Sequence, residues 1–179
     1  DFNREGVNGN DLIYIPKDAR NTSEIQFVNS APINGIVYTA AQQAQLFEDY
    51  INQDKYLRKH RGQYAERNGG LAPWRNQVDF KFIQDLFVKT GKNRHTIQFT
   101  VDVFNFGNLI NSSWGKVKST NATSILIPQN QNSLVPGGST VPTFRLATDR
   151  GQIITRTFRD NISVASTYSV QFGVRYLFN

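Results

Sequence analysis

The sequence predicts an all-β fold, namely the C-terminal strands of a transmembrane antiparallel β-barrel whose long extracellular loops contain a short helix. The first observation is alternation: along Tyr168–Phe178 the residues at every second position are all apolar, so they share one face of an extended strand. That stretch has the roughly 9–11 residues that a tilted strand needs to cross a bilayer, and its apolar face begins and ends in aromatics. Second, 13 Phe and 7 Tyr favour strands. Third, no apolar run approaches the roughly 18 residues of a membrane helix.

Composition and charge exclude several classes of protein. The chain has 179 residues, enough for one sizeable domain, and a formal net charge of +6. Its Lys and Arg residues are scattered and no nucleic-acid-binding motif accompanies them, so we expect no nucleic acid as a partner. The absence of cysteine excludes disulfides, thiolate metal sites and redox chemistry at thiols. Because the sequence opens at Asp1 without Met or a signal segment, we expect a fragment or a processed product.

The first segment partly matches a calcium-binding loop. Asp1, Asn3 and Glu5 place oxygen-bearing side chains at alternate positions before Gly6, and Asp11 lies next to the position where an EF-hand loop closes with an acid. We therefore treat Asp1, Asn3, Glu5 and Asp11 as candidate calcium ligands, and calcium as the one candidate cofactor. The alternative is an Asn/Gly/Asp-rich turn whose side chains bond their own backbone.

Residues 1–76 are predicted to form an extracellular loop region with one helix at about residues 40–52. Thr39 followed by Gln42 makes a capping box, and good helix formers follow it. The apolar residues of this helix share one face and should pack against a neighbouring element. A second helix-compatible piece follows at Asp54–His60. Short strands are expected at Leu12–Ile15, Ile25–Val28 and Ile36–Tyr38.

Residues 77–109 are predicted to form a transmembrane β-hairpin. Two alternating stretches flank a short polar turn at Lys89–Arg94, and each stretch has one apolar and one mostly polar face. In a membrane barrel the apolar face meets lipid and the polar face meets the lumen. The hairpin residues predicted to face lipid are Val78, Phe80, Phe82, Leu86, Val88, Ile97, Phe99, Val101 and Val103, and those predicted to face the lumen are Asp79, Lys81, Asp85 and Asp102.

The alternation breaks near Asn105, where the flanking phenylalanines take the opposite parity, so we expect a bulge or the barrel rim there. A long extracellular loop over residues 110–166 follows and is interrupted by Pro and Gly. Trp74 and Trp114 are expected in the interfacial aromatic girdle. Strand candidates within the loop are Ser124–Ile127, Thr143–Ala147 and Gln152–Arg159.

Residues 167–179 are predicted to form the C-terminal transmembrane strand. One short turn on one side and two long segments on the other match the short periplasmic turns and long extracellular loops of outer-membrane barrels. This asymmetry places Tyr168 near the outer surface and Phe178 near the periplasm. The residues predicted to face lipid are Tyr168, Val170, Phe172, Val174, Tyr176 and Phe178, and those predicted to face the lumen are Gln171 and Arg175.

Several motifs together resemble a known family. The chain resembles the C-terminal part of the barrel of TonB-dependent outer-membrane receptors, in particular the Oar-like receptors of Bacteroidota, and the resemblance covers nearly the whole sequence. The aromatic C-terminal strand is shared by many outer-membrane proteins, whereas the first of these motifs is more particular. The motifs are Gly9–Pro16, Tyr64–Asn68, Pro73–Trp74, Gln77–Asp79, Asp102–Leu109, Trp114–Gly115 and Phe172–Phe178.

The resemblance implies a 22-stranded barrel with an N-terminal plug, located in the bacterial outer membrane and energised through a periplasmic segment that binds TonB. It implies a receptor that binds and imports a substrate. Its partners would be the rest of its own barrel and plug, TonB through a segment absent from these residues, and lipid or lipopolysaccharide. A surface lipoprotein or an envelope complex is a further candidate partner.

Two other functions are left open by the residues. One is a secreted β-rich binding module, in which Phe80, Phe172 and Val174 would be buried against a second sheet. The other is a structural component of a cell-envelope assembly. An enzyme is not expected, because the nucleophile-elbow, metalloprotease and phosphate-loop motifs are missing and the chain has only two histidines.

Overall fold

The computed structural model describes residues 12–131 and 141–178. Strands predominate in it and helices are few, which confirms the mostly β character predicted from the sequence. No helix in the described residues is both long and apolar enough to cross a membrane. The strands, in chain order, are β1 (Tyr14–Ile15), β2 (Gln26–Phe27), β3 (Gln63–Tyr64), β4 (Phe80–Thr90), β5 (Asn93–Phe104), β6 (Val117–Thr120), β7 (Leu126–Pro128), β8 (Thr143–Leu146), β9 (Thr148–Asp149), β10 (Gln152–Ile153), β11 (Phe158–Asn161) and β12 (Ser169–Phe178). The helices are α1 (Ala40–Gln53), α2 (Lys55–Lys59), α3 (Phe106–Ile110) and the 3-10 helix Val164–Ser166.

The chain divides into two compact units. The first consists of residues 1–71 and 120–159, and the second of residues 72–119 and 160–179. The candidate calcium ligands Asp1, Asn3, Glu5 and Asp11 lie outside the described residues.

The first unit is built around α1. Thr39 accepts a hydrogen bond from the Gln42 amide while the Gln42 side chain accepts one from the Thr39 amide, so the predicted capping box is present and the helix begins where expected. One face of α1 packs against a mixed sheet in the order β2-β8-β7, with β2 and β8 parallel and β7 antiparallel to β8. The buried core comprises Ile15, Ala19, Ile25, Phe47, Tyr50, Ile51, Leu126, Leu146, Ala147 and Ile154.

Two polar side chains of α1 are buried in the first unit. Gln43 is fully buried: its Nε2 donates to the Val28 carbonyl at 2.5 Å, and its Oε1 accepts from the Leu146 amide at 3.0 Å. The Glu48 carboxylate pairs with Arg61 at 2.6 Å and accepts the Ala19 amide at 3.0 Å. Both side chains therefore have hydrogen-bond partners, as a stable interior requires.

Two expectations about short strands need correction. No strand forms at Ile36–Tyr38: Asn34 and Gly35 adopt positive φ in a tight turn, and the two sides of that turn are joined by one bridge, between Ile33 and Ile36. The stretch Gln152–Arg159 is divided between β10 and β11, and the amide of buried Ile154, between them, donates to the Ala147 carbonyl at 3.1 Å. The residues before the hairpin and those after it also share one hydrophobic core, which the sequence pattern did not indicate.

The second unit is dominated by one antiparallel sheet in the order β12-β5-β4. Strands β4 and β5 form the predicted hairpin, whose loop is only Gly91 and Lys92, and Gly91 has φ +64 as such a tight turn requires. No bulge occurs near Asn105. The pairing of β5 with β12 runs without interruption to Phe104, and Asn105 then ends the strand in the left-handed conformation at φ 53.

Candidate functional site

The β12-β5-β4 sheet has one apolar face across all three strands. Residues that lie directly opposite each other in a sheet point to the same side. The register aligns five rows, and only Gln84 and His95 interrupt them with polar side chains. We call this surface the apolar face; its rows are Phe80–Val103–Val170, Phe82–Val101–Phe172, Gln84–Phe99–Val174, Leu86–Ile97–Tyr176 and Val88–His95–Phe178.

The side chains of the apolar face are largely uncovered. Phe172 exposes 76% of its surface, Val174 71% and Val88 66%. A soluble monomer seldom exposes a continuous apolar patch of more than a few hundred Å², and such patches mark surfaces that contact a partner or a membrane. The extent of this face therefore indicates that it contacts an apolar surface, either of a partner or of a membrane.

The opposite face of the same sheet carries mainly polar side chains. Lys81 pairs with Asp102 across β4 and β5 at 3.1 Å, and Gln98 donates to Asp85 at 2.9 Å. Three apolar side chains also lie on this face and depart from the predicted pattern. We call it the polar face; its rows are Lys81–Asp102–Gln171, Ile83–Thr100–Gly173, Asp85–Gln98–Arg175, Phe87–Thr96–Leu177 and Lys89–Arg94.

The register therefore groups the predicted residues as the alternation requires. Every residue that was predicted to face lipid and lies within a strand is on the apolar face, and Lys81, Asp85, Asp102, Gln171 and Arg175 are on the polar face. The other predicted positions, Val78, Asp79 and Tyr168, lie just before the strands begin.

A polar lock joins the end of β5 to the residues before β4. The Asn105 amide donates to Asp79 Oδ1 at 2.8 Å, and the Phe106 amide donates to the Val78 carbonyl at 2.7 Å. Asn105 Nδ2 donates to the Gly115 carbonyl at 3.3 Å. Gly115 has φ +65, and a Cβ there would collide with Asn105 Oδ1, so both the backbone and the space require glycine.

A second asparagine ties the same end of the sheet to the start of β12. Asn108 Nδ2 donates to the Trp114 carbonyl at 2.8 Å, and Asn108 Oδ1 accepts a hydrogen bond from the Tyr168 amide at 3.2 Å. The sequence singled out Asp102–Leu109 as a motif, but it did not indicate that Asn105 and Asn108 hold this end of the sheet together, because that role depends on contacts with distant residues.

Both tryptophans predicted for the aromatic girdle are exposed. Trp114 exposes 54% of its surface and Trp74 exposes 87%, and the Trp74 indole N–H donates to the Asn76 side chain.

An acidic residue in the second unit is held between two lysines. Asp160 accepts hydrogen bonds from Lys118 at 2.6 Å and from Lys116 at 2.9 Å. These bonds lower the pKa of Asp160 to about 2, so it stays ionised at neutral pH. In residues 12–131 and 141–178, no group of three or more His, Cys, Asp or Glu side chains could hold a metal ion.

Comparison of the sequence and fold with protein-family models, curated proteins and solved structures finds no match.

Proposed function

We propose that this chain is the C-terminal part of the barrel of a TonB-dependent outer-membrane receptor, which binds and imports a substrate. The observation that carries the proposal is the β12-β5-β4 sheet, whose three strands align one exposed apolar face and one mainly polar face. In a membrane barrel, lipid covers the outer face and water fills the lumen, so each side chain would lie in its preferred surroundings.

The strand lengths support this proposal. β4 has 11 residues, β5 has 12 and β12 has 10. At about 3.4 Å per residue and a tilt of about 40°, ten residues span about 26 Å along the membrane normal, close to the roughly 25 Å apolar band of outer-membrane barrels. A strand of average length in a soluble protein has only about half as many residues.

The edges of the sheet also support a larger assembly. β4 and β12 each pair with β5 on one side, and neither has a second neighbour among the described strands. Unpaired backbone groups at such edges cost several kcal/mol each in lipid, so further strands must pair with them there. The proposal therefore requires the rest of a barrel, with its plug, as the partner of this chain.

The exposure of three side chains counts against the soluble alternative. A secreted binding module with a packed sandwich would bury Phe80, Phe172 and Val174, but they expose 53%, 76% and 71% of their surface. A structural role in an envelope assembly would leave the same face for a protein partner. That role predicts co-purification with other envelope proteins at fixed stoichiometry, whereas a receptor would disperse in detergent as single barrels.

Fractionation of the cell envelope of the bacterium that makes this protein tests the proposed function. We expect the protein in the outer-membrane fraction, extracted by detergent and retained after a carbonate wash. A chain that is folded, monomeric and soluble without detergent would contradict the proposal. Substrate identity would then be sought by growth on defined nutrients after deletion of the gene, with loss of TonB as the control for energised import.

A further inference from the structure

The polar face changes character at the end of the sheet that contains the hairpin turn. Phe87 on β4 and Leu177 on β12 belong to the same row as Thr96 on β5. Phe87 exposes 56% of its surface and Leu177 exposes 43%, whereas Thr96 between them is buried. Contact with water is unfavourable for apolar side chains, so a water-filled lumen alone does not explain this row.

Two cations lie beside this row on the same face. Lys89 on β4 is the cross-strand partner of Arg94 on β5, and like charges in that arrangement destabilise a sheet unless an anion compensates them. The Arg94 guanidinium lies 4.2 Å from the centre of the Phe87 ring, which orients it but supplies no net negative charge. The apolar side chains and the two cations thus form one surface, which we call the turn patch: Phe87, Lys89, Arg94 and Leu177.

The described sheet contains no carboxylate that balances the turn patch. Neither Lys89 nor Arg94 takes part in an ion pair within the described part of the chain. Asp85 is the nearest acid on β4, and four residues of strand place it about 13 Å from Lys89. β12 contains no acid, and the first acid on β5 after the turn is Asp102, which pairs with Lys81 at 3.1 Å. The cations at the far end of the polar face are therefore compensated, and those of the turn patch are not.

The turn patch has the composition of a protein–protein contact, in which an apolar centre is bordered by charges that match those of the partner. We propose that an acidic, partly apolar surface on another segment of the same receptor packs against the turn patch. Its carboxylates bind Lys89 and Arg94, and its apolar side chains cover Phe87 and Leu177.

This inference rests on the proposed function. A closed barrel would enclose the polar face, which leaves a segment of the same polypeptide as the protein that reaches it there. The inference adds where on this sheet that contact lies and which charge the contacting segment carries.

Carbodiimide crosslinking tests the inference in isolated outer membranes that contain the full-length receptor. The reagent joins a lysine amine directly to a carboxylate, without a spacer, so it reacts where the two groups are in contact. We expect Lys89 to be joined to an Asp or Glu outside the β12-β5-β4 sheet, identified by mass spectrometry of the digested receptor. Lys81 should be joined to Asp102, which shows that the reagent reaches the polar face.

A matched variant identifies the reacting amine. Lys89→Arg keeps the charge but removes the amine, so this crosslink should be lost while the amount of receptor in the washed outer-membrane fraction is unchanged. A product between Lys81 and Asp102 without one from Lys89 would overturn the inference and leave the proposed function standing. Absence of the receptor from the washed outer-membrane fraction would overturn both.

Maleimide labelling of Leu177→Cys gives a second readout in the same membranes. Leu177 lies on the polar face, one row from Arg175. A lumen filled with water at this end would make both positions reactive, whereas the proposed contact protects Leu177→Cys and leaves Arg175→Cys reactive. Equal labelling of the two variants would also overturn the inference.

Discussion

Val174 on β12 lies directly opposite Phe99 on β5, and its neighbour Arg175 lies opposite Gln98 on the other face of the sheet. One step along the strand thus changes the surroundings from mainly apolar to polar. Val174 lies in the middle row of the five, as far as the sheet allows from both ends of the strands. In the proposed orientation this row lies at the centre of the bilayer.

A pair of substitutions on β12 follows from this arrangement. Val174→Arg should impair assembly into the outer membrane strongly, because a cation on the lipid face near the midplane costs about 2–4 kcal/mol. Arg175→Gln should have little effect, since a water-filled lumen accepts either side chain. The measurement is the amount of protein in the washed outer-membrane fraction. Equal amounts of the two variants would contradict the assignment of faces.

The lock at the end of β5 gives a prediction about stability. Gly115→Ala should lower the thermal unfolding midpoint for two reasons. A residue with a side chain pays about 1–2 kcal/mol for the positive φ at this position, and the added Cβ would collide with Asn105. Gly91→Ala is the matched control: Gly91 also has positive φ, but a Cβ there would have nothing within 4 Å. We expect the larger loss at Gly115, and a larger loss at Gly91 would show that the contact with Asn105 is unimportant.

The Glu48–Arg61 pair should make the first unit sensitive to pH. Burial raises the pKa of Glu48, but hydrogen bonds from Arg61 and the Ala19 amide outweigh it and hold the pKa below its ordinary value. A carboxyl with a lowered folded-state pKa stabilises the fold above its unfolded pKa, about 4.3, and loses that contribution as pH falls through the folded value. At pH 7, Glu48→Gln should therefore cost about 1–3 kcal/mol.

Hydrogen exchange of the α1 amides measures this effect within the first unit. The difference in protection between Glu48→Gln and the unmodified chain should be largest near neutral pH and should shrink as the pH falls below about 4. Asp49→Asn, a change on the same helix at an exposed carboxylate, is the control and should leave protection nearly unchanged. A difference for Glu48→Gln that stays constant with pH would refute the role of the ionised carboxylate.

The two faces of the main sheet were predictable because they follow from a period of two. Alternation along Phe80–Val88, Ile97–Val103 and Val170–Phe178 predicted which residues share a face, and the register places every one of them that lies within a strand on the expected side. The faces are not uniform, since Ile83, Phe87 and Leu177 lie on the polar side. Helix α1 was likewise predictable, since the Thr39–Gln42 capping box is a local signal. Local patterns therefore supplied both the sheet and the helix.

The shared core of the first unit was not predictable in the same way. It depends on contacts between residues far apart in the chain, such as the pairing of Phe27 with Phe144 and the hydrogen bond from the Leu146 amide to Gln43. Neither contact produces a periodic pattern of apolar residues in the sequence, because β2 has only two residues and Gln43 is a polar residue within a helix. The Asn105–Gly115 lock was missed for the same reason.

Cysteine scanning of β12 tests the central claim most directly, because the chain contains no cysteine of its own. Single substitutions from Gln171→Cys to Tyr176→Cys would be treated with a water-soluble maleimide in isolated outer membranes. We predict alternation: Gln171→Cys, Gly173→Cys and Arg175→Cys react, whereas Phe172→Cys, Val174→Cys and Tyr176→Cys are protected by lipid. Detergent denaturation should make all six reactive. Uniform labelling in the membrane, or the opposite alternation, would contradict the proposal that the apolar face lies in lipid.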